Sequence, residues 1–260
     1  MRWSLVPKYY IQEKLKMYCF ETKIRYSECD ASRKLSSEAL LNYFQDCSTF
    51  QSEELGVGFD YLIQKNLVWV LASWQIVVHR YPKMGETVIV GTFPYDFKGF
   101  LGYRNFLMKT KEGELLAEAN SLWTLLRFDT MKPVNPEAEL LEKYTIEPKL
   151  DMDYAARKIQ LGDNGVKCEP VIVRRQHLDS NQHVNNGQYI SIAKEYLSDD
   201  FEISQIRAEY KKQAHLHDVL IPCVLQEENR VVVSLQDEKG TVYMNAEFIR
   251  IMSIGREKRK

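Results

Sequence analysis

The chain has 260 residues, of which 45% are apolar and 27% are charged. This composition is typical of a globular protein and excludes a disordered or fibrous chain. Lys and Arg together number 35 and Asp and Glu together number 36, so the net charge is −1. A balanced charge excludes bulk nucleic-acid binding, which needs a basic surface to displace counterions, and leaves only local basic patches open.

The sequence contains no signal for a membrane segment, a metal site or a disulfide framework. The longest apolar stretch, Leu67–Val78, is too short to span a bilayer and carries polar residues. The N-terminal residues are charged and lack the apolar region of a signal peptide. The five Cys include no CxxC pair. We therefore expect no disulfide, no metal and no cofactor, and a location in the reducing cytoplasm.

In chain order, the first predicted elements are a strand and a helix. TKIRYSECDASRKL (22–35) begins as a strand-like run and leads into a helical pattern. Ser36 and Ser37 are candidates for the N-cap because a serine hydroxyl accepts a hydrogen bond from a free N–H of the first turn. Apolar residues then recur at helical spacing, and Gly56 is a natural stop.

Antiparallel strands are predicted after this helix. Residues 74–93 show the pattern of two strands around a Pro/Gly turn, and residues 103–128 show that of a hairpin that turns at Gly113. The segment 129–170 is rich in Pro and charge, so we expect a linker that crosses the surface.

The second half of the sequence repeats the first. VIVRRQHLDSNQHV (171–184) aligns with 22–35 so that Arg174 matches Arg25 and Asp179 matches Asp30. Internal similarity of this kind is the signature of a duplicated structural unit. The pattern that follows the second copy should therefore match the pattern that follows the first.

The second copy predicts another helix followed by antiparallel strands. The helix should start after Asn185 or Asn186, and its apolar face is expected to contain four residues: Tyr189, Ala193, Tyr196 and Leu197. Two strands follow in 206–225, where Asp218 takes the place of Glu86, and a hairpin in 230–252 turns at Gly240. A helix beside an antiparallel sheet buries its apolar stripe on that sheet. The fold class predicted is therefore α+β, with two tandem units, 1–148 and 149–260, packed as a pseudo-dimer.

The densest polar cluster starts at Asp179, where a strand ends and a helix begins. His183 is a candidate base because imidazole titrates near neutral pH. Asp179 and Asn181 are candidates to orient that base or a water. The backbone N–H groups of Val184 and Asn185, at the start of the helix, are candidates to hold an oxyanion.

A structural interpretation of this cluster competes with the functional one, because Asp, Asn and Ser before a helix commonly serve as caps and turns. The repeat helps to decide between them. The equivalent positions in the first half are Asp30, Ser32 and Lys34. Asn181 and His183 occur only in the second copy, so the repeat favours a functional site in the second half.

The run RRQHLDSNQHVNNGQYI (174–190), followed by Glu195, resembles the signature of the acyl-[acyl-carrier-protein] thioesterases of plants and bacteria. Three segments of the first half resemble that family too: WQIVVHRYPKMGETVIV, GFLGYRNFLMKTKEGELLAEANSLW and MKPVNP. The resemblance implies a double hotdog fold, in which each unit is a long helix wrapped by an antiparallel sheet. It also implies hydrolysis of a fatty acyl thioester, which releases the free fatty acid and the carrier protein.

The resemblance also assigns residues to roles. The family's catalytic Asp, Asn and His fall on Asp179, Asn181 and His183. Its further acidic residue falls on Gln213, and the Cys once favoured as a nucleophile falls on Ala214. A Cys nucleophile is therefore excluded at that position, and so is a carboxylate base, because an amide does not accept a proton near neutral pH. Gln213 remains a candidate for positioning a water.

The family's carrier protein is acidic, so the resemblance implies a basic rim near the site. Five candidates are Arg174, Arg175, Lys211, Lys212 and the tail 256–260. An ordinary solvated surface is the alternative for each charge pair. We expect no nucleic-acid or membrane partner, and the sequence leaves a homodimer open.

Three other functions compete with hydrolysis of acyl-carrier protein. The first is an acyl-CoA thioesterase, because both substrates present the same pantetheine arm. The second is a non-catalytic acyl-binding hotdog protein, with which Gln213 is compatible. The third, a hotdog dehydratase, is disfavoured because His183 precedes Val-Asn-Asn rather than the Phe-Pro typical of those enzymes.

Overall fold

A computed structural model describes residues 16–162 and 164–250 of the chain. The helices within these ranges are α1 (Ser37–Glu54), α2 (Phe59–Gln64), α3 (Ala138–Leu141) and α4 (Asn186–Lys194). The strands are β1 (Tyr18–Lys23), β2 (Leu67–Val78), β3 (Thr87–Lys98), β4 (Leu101–Thr110), β5 (Leu115–Arg127), β6 (Val166–Lys167), β7 (Val171–Ile172), β8 (Ile203–Tyr210), β9 (Val219–Gln226), β10 (Arg230–Gln236) and β11 (Val242–Arg250). Among the helices of the described ranges, none combines the length and the apolar character that a transmembrane span requires.

The chain folds as two units. The first contains the residues up to Leu71 together with Arg80–Asp153, and the second contains Ala72–His79 together with the residues from Tyr154 onward. Strand β2 therefore begins in the first unit and continues in the second. In the first unit β1, β3, β4 and β5 form antiparallel neighbours in that order.

Helix α1 lies against β3 and β1 of the first unit. Its N-cap is Ser36, whose hydroxyl accepts the amide of Ala39 at 3.2 Å. Its buried face includes Phe44, whose ring centroid lies 5.4 Å from that of Phe106 on β4. The helix ends before Gly56, which has a φ of 71°. Both ends predicted from the sequence are confirmed, and the glycine is needed because its left-handed backbone is unfavourable for other residues.

The second unit has its own antiparallel sheet. The order is the second part of β2, then β8, β11, β10, β9 and β6, and β7 also pairs with β9. Helix α4 lies against β10 and β11. The predicted hairpin turns at Gly113 and Gly240 are both present, with φ angles of 92° and 81°. Each unit thus places one helix on an antiparallel sheet, which is the α+β arrangement expected from the sequence.

Helix α4 is shorter than the sequence pattern predicted. Its N-cap is Asn185, whose side chain accepts the amide of Gly187 at 2.8 Å. The helix ends at Lys194, so the assignment of Tyr196 and Leu197 to its apolar face was wrong. The amide of Leu197 instead donates to the carbonyl of Lys194 at 3.0 Å, a bond that closes a tighter turn than an α-helix has.

The segment 129–170 is more than the surface linker that its composition predicted. Tyr144 is buried, and its hydroxyl lies 2.9 Å from that of Ser52 on α1. Ile159 is buried in the second unit, where its amide donates to Glu209 at 3.3 Å. The expectation failed because single apolar residues among the charged ones anchor the segment to each unit by burial, which average composition does not reveal.

A buried carboxylate fixes part of this segment in the second unit. The side chain of Glu247 is only 5% exposed and lies 2.5 Å from Arg207 and 2.7 Å from Arg230. Arg207 also donates to the carbonyl of Lys158 at 3.2 Å, and Arg230 donates to that of Gln160 at 3.3 Å. Glu247 therefore orients two arginines that hold the connecting backbone.

The first unit contains a more exposed ion-pair group. Arg80 lies 2.8 Å from Glu86 and 2.6 Å from Glu114. Hydrogen bonds from Arg80 are the main cause that lowers the pKa of both carboxyl groups. This group makes the stability of the first unit depend on pH in the acid range.

Candidate functional site

The candidate site lies in the second unit, in the loop that precedes α4. The amide of Asp179 donates to the carbonyl of His183 at 2.8 Å, and Leu178 forms a bridge with Val184. Gln182 has a φ of 62°, the left-handed conformation that a tight loop requires. These contacts fold the loop back on itself and present its side chains ahead of the helix.

The carboxylate of Asp179 shapes this loop. One of its oxygens, Oδ1, accepts the backbone amide of Asn181 at 2.8 Å and that of His183 at 3.3 Å. A carboxylate that accepts two backbone N–H groups holds a turn in place, as in other Asx turns. Asp179 therefore supports the loop that carries His183.

The first unit contains the same loop with different chemistry. Oδ1 of Asp30 accepts the backbone amides of Ser32 at 2.9 Å and Lys34 at 3.1 Å. The amide of Asp30 also donates to the carbonyl of Lys34 at 2.8 Å. The alignment of Asp30 with Asp179 thus corresponds to a shared structure, and the two loops differ in the side chains that they present.

His183 contacts a second histidine that the sequence analysis missed. The ring centroids of His183 and His215 are 4.8 Å apart, with the planes at 80°, an edge-to-face contact. His215 lies in the loop between β8 and β9, and its amide donates to Asp218 at 2.9 Å. The repeat indicates only that the turn at His215 has a counterpart in the first unit, because Asp218 matches Glu86. The carboxylate of Glu86 accepts the amide of Lys83 at 2.9 Å, as that of Asp218 accepts the amide of His215.

The surroundings of His183 favour its neutral form. Burial is the largest cause that lowers its pKa, and His215 lowers it further, whereas the carboxylate of Asp179 acts in the opposite direction. A neutral imidazole at physiological pH can accept a proton, as a general base requires. Within the described ranges no three His, Cys, Asp or Glu side chains gather as a metal-ligand set.

A third histidine, His177, has a structural place at the start of the loop. Its Nδ1 accepts the amide of Arg174 at 3.1 Å, so its neutral form carries the proton on Nε2. Burial and the nearby Arg174 lower the pKa of His177. In the first unit the carboxylate of Glu28 accepts the amide of Arg25 at 2.8 Å, which shows that this position closes the turn in both copies.

The backbone amides predicted to hold an oxyanion are already engaged, so that prediction was wrong. The amide of Val184 donates to the carbonyl of Ala214 at 2.9 Å, and the amide of Asn185 donates to that of His177 at 2.9 Å. Helix starts offer free N–H groups only where no neighbouring segment accepts them. Here the β8–β9 loop and the preceding turn supply the acceptors, a tertiary feature that the sequence does not display.

Gln213 lies beside the site, in the same loop as His215. It is partly buried. Its neighbour Ala214 is fully buried, with an amide that donates to the hydroxyl of Tyr189 on α4 at 2.8 Å. In the part of the chain that the structure describes, the side-chain amide of Gln213 has no hydrogen-bond partner. Its N–H donors are therefore available to a water or a ligand.

The predicted basic residues occupy different surroundings. Arg174 is exposed. Arg175 lines an open depression of about 360 Å³ together with four other residues: Leu178, Asp179, Gln182 and Leu216. The depression lies against the loop that precedes α4, on the side of Asp179, and Arg175 brings a positive charge to it.

Both candidate lysines are paired with carboxylates. Lys211 lies 3.5 Å from Glu209, and Lys212 lies 3.5 Å from Asp237 and 4.5 Å above the ring of Tyr243. These pairs reduce the net positive charge that the lysines present. The candidate tail 256–260 lies outside the described residues.

Comparison with solved structures identifies the fold. An acyl-ACP thioesterase from Bacteroides thetaiotaomicron superposes with a TM-score of 0.83 at 20% identity, over 90% of this chain and 97% of that one. The 12:0-ACP thioesterase from Umbellularia californica superposes with a TM-score of 0.80 at 23% identity, over 90% of this chain and 96% of that one. The protein is therefore of the double hotdog class, as the sequence predicted.

Family models then give a narrower assignment. The acyl-ACP thioesterase N-terminal domain matches residues 16–144, and the acyl-ACP thioesterase C-terminal domain matches residues 162–248. The chain belongs to the acyl-ACP thioesterase family.

Curated relatives agree with this assignment. A chloroplastic acyl-[acyl-carrier-protein] hydrolase of Cuphea viscosissima is 28% identical over 76% of this chain and 51% of its own length. A chloroplastic oleoyl-acyl carrier protein thioesterase of Arabidopsis thaliana is 25% identical over 76% of this chain and 60% of its own length. The chain spans about half the length of the first of these relatives.

Proposed function

We propose that this protein hydrolyses fatty acyl-[acyl-carrier-protein] thioesters to the free fatty acid and the carrier protein, and so ends fatty-acid synthesis. Membership of the family and the activities for which its relatives are named support this substrate class. The observation that carries the proposal is the loop at Asp179. It presents a neutral His183 and Asn181 on a scaffold whose first-unit copy presents Lys34 and Ser32.

In the proposed mechanism His183 acts as a general base. It takes a proton from a water whose oxygen attacks the thioester carbonyl carbon. The tetrahedral intermediate then collapses, the C–S bond breaks, and His183 returns the proton to the leaving thiolate. Water has then supplied the hydroxyl of the acid and the hydrogen of the thiol, so the atoms balance.

Side-chain amides are the donors that we propose for this reaction. The amides of Val184 and Asn185 are engaged, so the oxyanion needs another donor. We assign that role to the side-chain N–H of Asn181 and assign positioning of the attacking water to Gln213. An amide at position 213 can hold the water without accepting its proton, which leaves proton transfer to His183.

The test is hydrolysis of a panel of acyl-carrier-protein substrates of varied chain length, in which the rate is measured from the release of the free thiol. We expect His183→Ala to lower kcat/KM by about 10²–10⁴-fold, the usual cost of losing a positioned acid–base group. Lys34→Ala alters the matched position in the first unit and should stay near wild type. If Lys34→Ala abolished turnover and His183→Ala did not, the site would be in the wrong unit.

Two alternatives make different predictions in the same assay. An acyl-CoA thioesterase would show a higher kcat/KM on acyl-CoA than on the acyl-carrier protein of equal chain length. A non-catalytic acyl-binding protein, with which Gln213 is compatible, would bind the acyl thioester and release no thiol from any member of the panel.

We propose Arg174 and Arg175 as the main contacts for the acidic carrier protein, and Lys211 and Lys212 as further contacts. We also propose a cytoplasmic location. All five Cys are free thiols, which fits a reducing compartment. Imaging of the tagged protein tests the location.

The homodimer stays a prediction, and light scattering of the purified protein tests it.

A further inference from the structure

The two units differ at a second position besides that of His183. In the first unit Lys34 and Lys83 form a backbone bridge, so two lysines stand side by side. In the second unit the equivalent positions are His183 and His215, whose rings touch. Both members of the pair are therefore histidines in the unit that carries the candidate site and lysines in the unit that does not.

The backbone around the pair is the same in both units. The amide of Leu35 donates to the carbonyl of Pro82 at 2.8 Å, as the amide of Val184 donates to that of Ala214 at 2.9 Å. The contact between the two histidines is thus built on a scaffold that the fold provides twice. The side chains, and not the backbone, create the difference.

The charged and titratable groups around His183 come from three elements. Asp179 belongs to its own loop, and its carboxylate oxygen accepts the amide of His183 at 3.3 Å. His215 comes from the β8–β9 loop, with the carboxylate of Asp218 3.9 Å from its Nδ1. Tyr189 comes from α4, and its hydroxyl accepts the amide of Ala214 at 2.8 Å.

We propose that His215 is a positioning residue for His183: its ring fixes the orientation of the His183 ring, and its positive charge, when present, opposes protonation of His183. The inference depends on the proposed role of His183 as the base.

The physical basis has two parts. An edge-to-face contact between rings restricts rotation of the partly buried His183 ring, so His183 keeps the orientation that proton transfer needs. Two imidazolium rings at 4.8 Å repel each other, so the pair binds its two protons in separate steps. The carboxylate of Asp218 lies on the His215 side of the pair, 3.9 Å from the Nδ1 of that ring.

Three variants separate these two effects. His215→Phe keeps a ring of similar shape against His183 and removes the titrating group. His215→Ala removes both the ring and the titrating group. His217→Asn is the control, because His217 is exposed in the same loop and has a φ of 72°, which asparagine tolerates.

The readout is the dependence of kcat/KM on pH between about pH 5 and pH 9. Loss of the charge at position 215 should raise the pKa of His183. The midpoint of the low-pH fall in kcat/KM should therefore move to higher pH by about 0.5–1 pH unit in both His215 variants. The plateau at high pH should stay within about twofold of wild type in His215→Phe and fall by about 3–10-fold in His215→Ala. His217→Asn should keep both the limb and the plateau.

An unmoved limb in both His215 variants would overturn the electrostatic role. Equal plateaus in His215→Phe and His215→Ala would overturn the orienting role. A limb that moves equally in His217→Asn would show a general effect of the loop and would also overturn the proposal.

A second measurement does not depend on activity. The chain contains only five His, so the imidazole NMR signal of His183 can be assigned by its loss in His183→Ala and then titrated. The His183 midpoint should rise in His215→Phe whether or not the protein turns over acyl-carrier protein. Absence of turnover with a raised midpoint would refute the proposed function and leave the coupling intact, whereas turnover with an unchanged midpoint would refute the coupling alone.

Discussion

The matched aspartates of the two loops offer a test of what Asp179 does. Substitution of Asp179 by Ala removes the acceptor for the amides of Asn181 and His183, whereas substitution by Asn keeps an oxygen at that place and removes the charge. Asp30→Ala and Asp30→Asn make the same changes in the first unit, away from the proposed chemistry. The four variants therefore separate the structural support that Asp179 gives the loop from any direct role of its carboxylate in the reaction.

The expected cost follows from the hydrogen bonds lost. Asp179→Ala leaves two backbone N–H groups without their acceptor. A hydrogen bond contributes about 0.5–1.5 kcal/mol, and solvent can replace part of it in an exposed loop. We expect Asp179→Ala to lower the free energy of unfolding by about 1–3 kcal/mol and Asp179→Asn by about 1 kcal/mol or less. Asp30→Ala should cost at least as much, because Asp30 also accepts the hydroxyl of Ser32 at 2.7 Å.

Urea unfolding and the pH profile of kcat/KM provide the assay. If Asp179 mainly supports the loop, Asp179→Asn should keep kcat/KM at neutral pH within about tenfold of wild type. Its low-pH limb should move to lower pH. The negative charge of Asp179 raises the pKa of His183, so removal of the charge lowers that pKa and keeps the base unprotonated in more acidic solution. This shift is opposite in sign to that of the His215 variants.

One result would refute this reasoning. If Asp179→Asn lost more than about 100-fold in kcat/KM while its stability matched that of Asp30→Asn, the carboxylate would have a chemical role. An acyl group trapped on Asp179 and detected by mass spectrometry would then identify it as a nucleophile, with His183 activating water only in the second step.

The remaining predictions concern stability and docking. Glu247→Ala should lower the free energy of unfolding by about 3–5 kcal/mol because two partly buried arginines lose the buried carboxylate that they share. Glu227, which also pairs with Arg230, is 51% exposed, so Glu227→Ala should cost less than about 1 kcal/mol; equal costs in urea unfolding would contradict the role given to burial. Arg80 lowers the pKa of its two glutamate partners, Glu86 and Glu114. The stability that these ion pairs contribute is therefore fully present above the pKa of about 4.3 that a glutamate has in the unfolded chain, and it is lost as the pH falls through the lower pKa of the folded state. Stability of Arg80→Met should therefore decline less than that of wild type in acid, and parallel pH curves would contradict this. Raising salt should increase the KM for acyl-carrier protein more than the KM for a short acyl-CoA, and Arg175→Glu should reduce the difference; equal salt dependence in wild type would remove the case for a basic rim.

Local signals in the sequence determined much of the fold. The repeat, the serine cap and glycine stop of α1, and the hairpin turns at Gly113 and Gly240 were all predicted and are present. Each of these depends on interactions between residues close in sequence, such as a cap hydroxyl with an amide of the first turn or a backbone angle that glycine accommodates. Asp179 and His183 were placed in one loop for the same reason, because they are close in sequence.

Tertiary structure alone decided the features that join segments distant in sequence. The sequence gives no sign that the carbonyl of Ala214 takes the amide of Val184, so the predicted oxyanion donors were wrong. Nor does it bring His215 to His183, because that contact depends on how the β8–β9 loop lies against the loop before α4. Sequence patterns record which groups a chain carries and where they lie locally, whereas long-range packing determines which of those groups meet and which donors remain free.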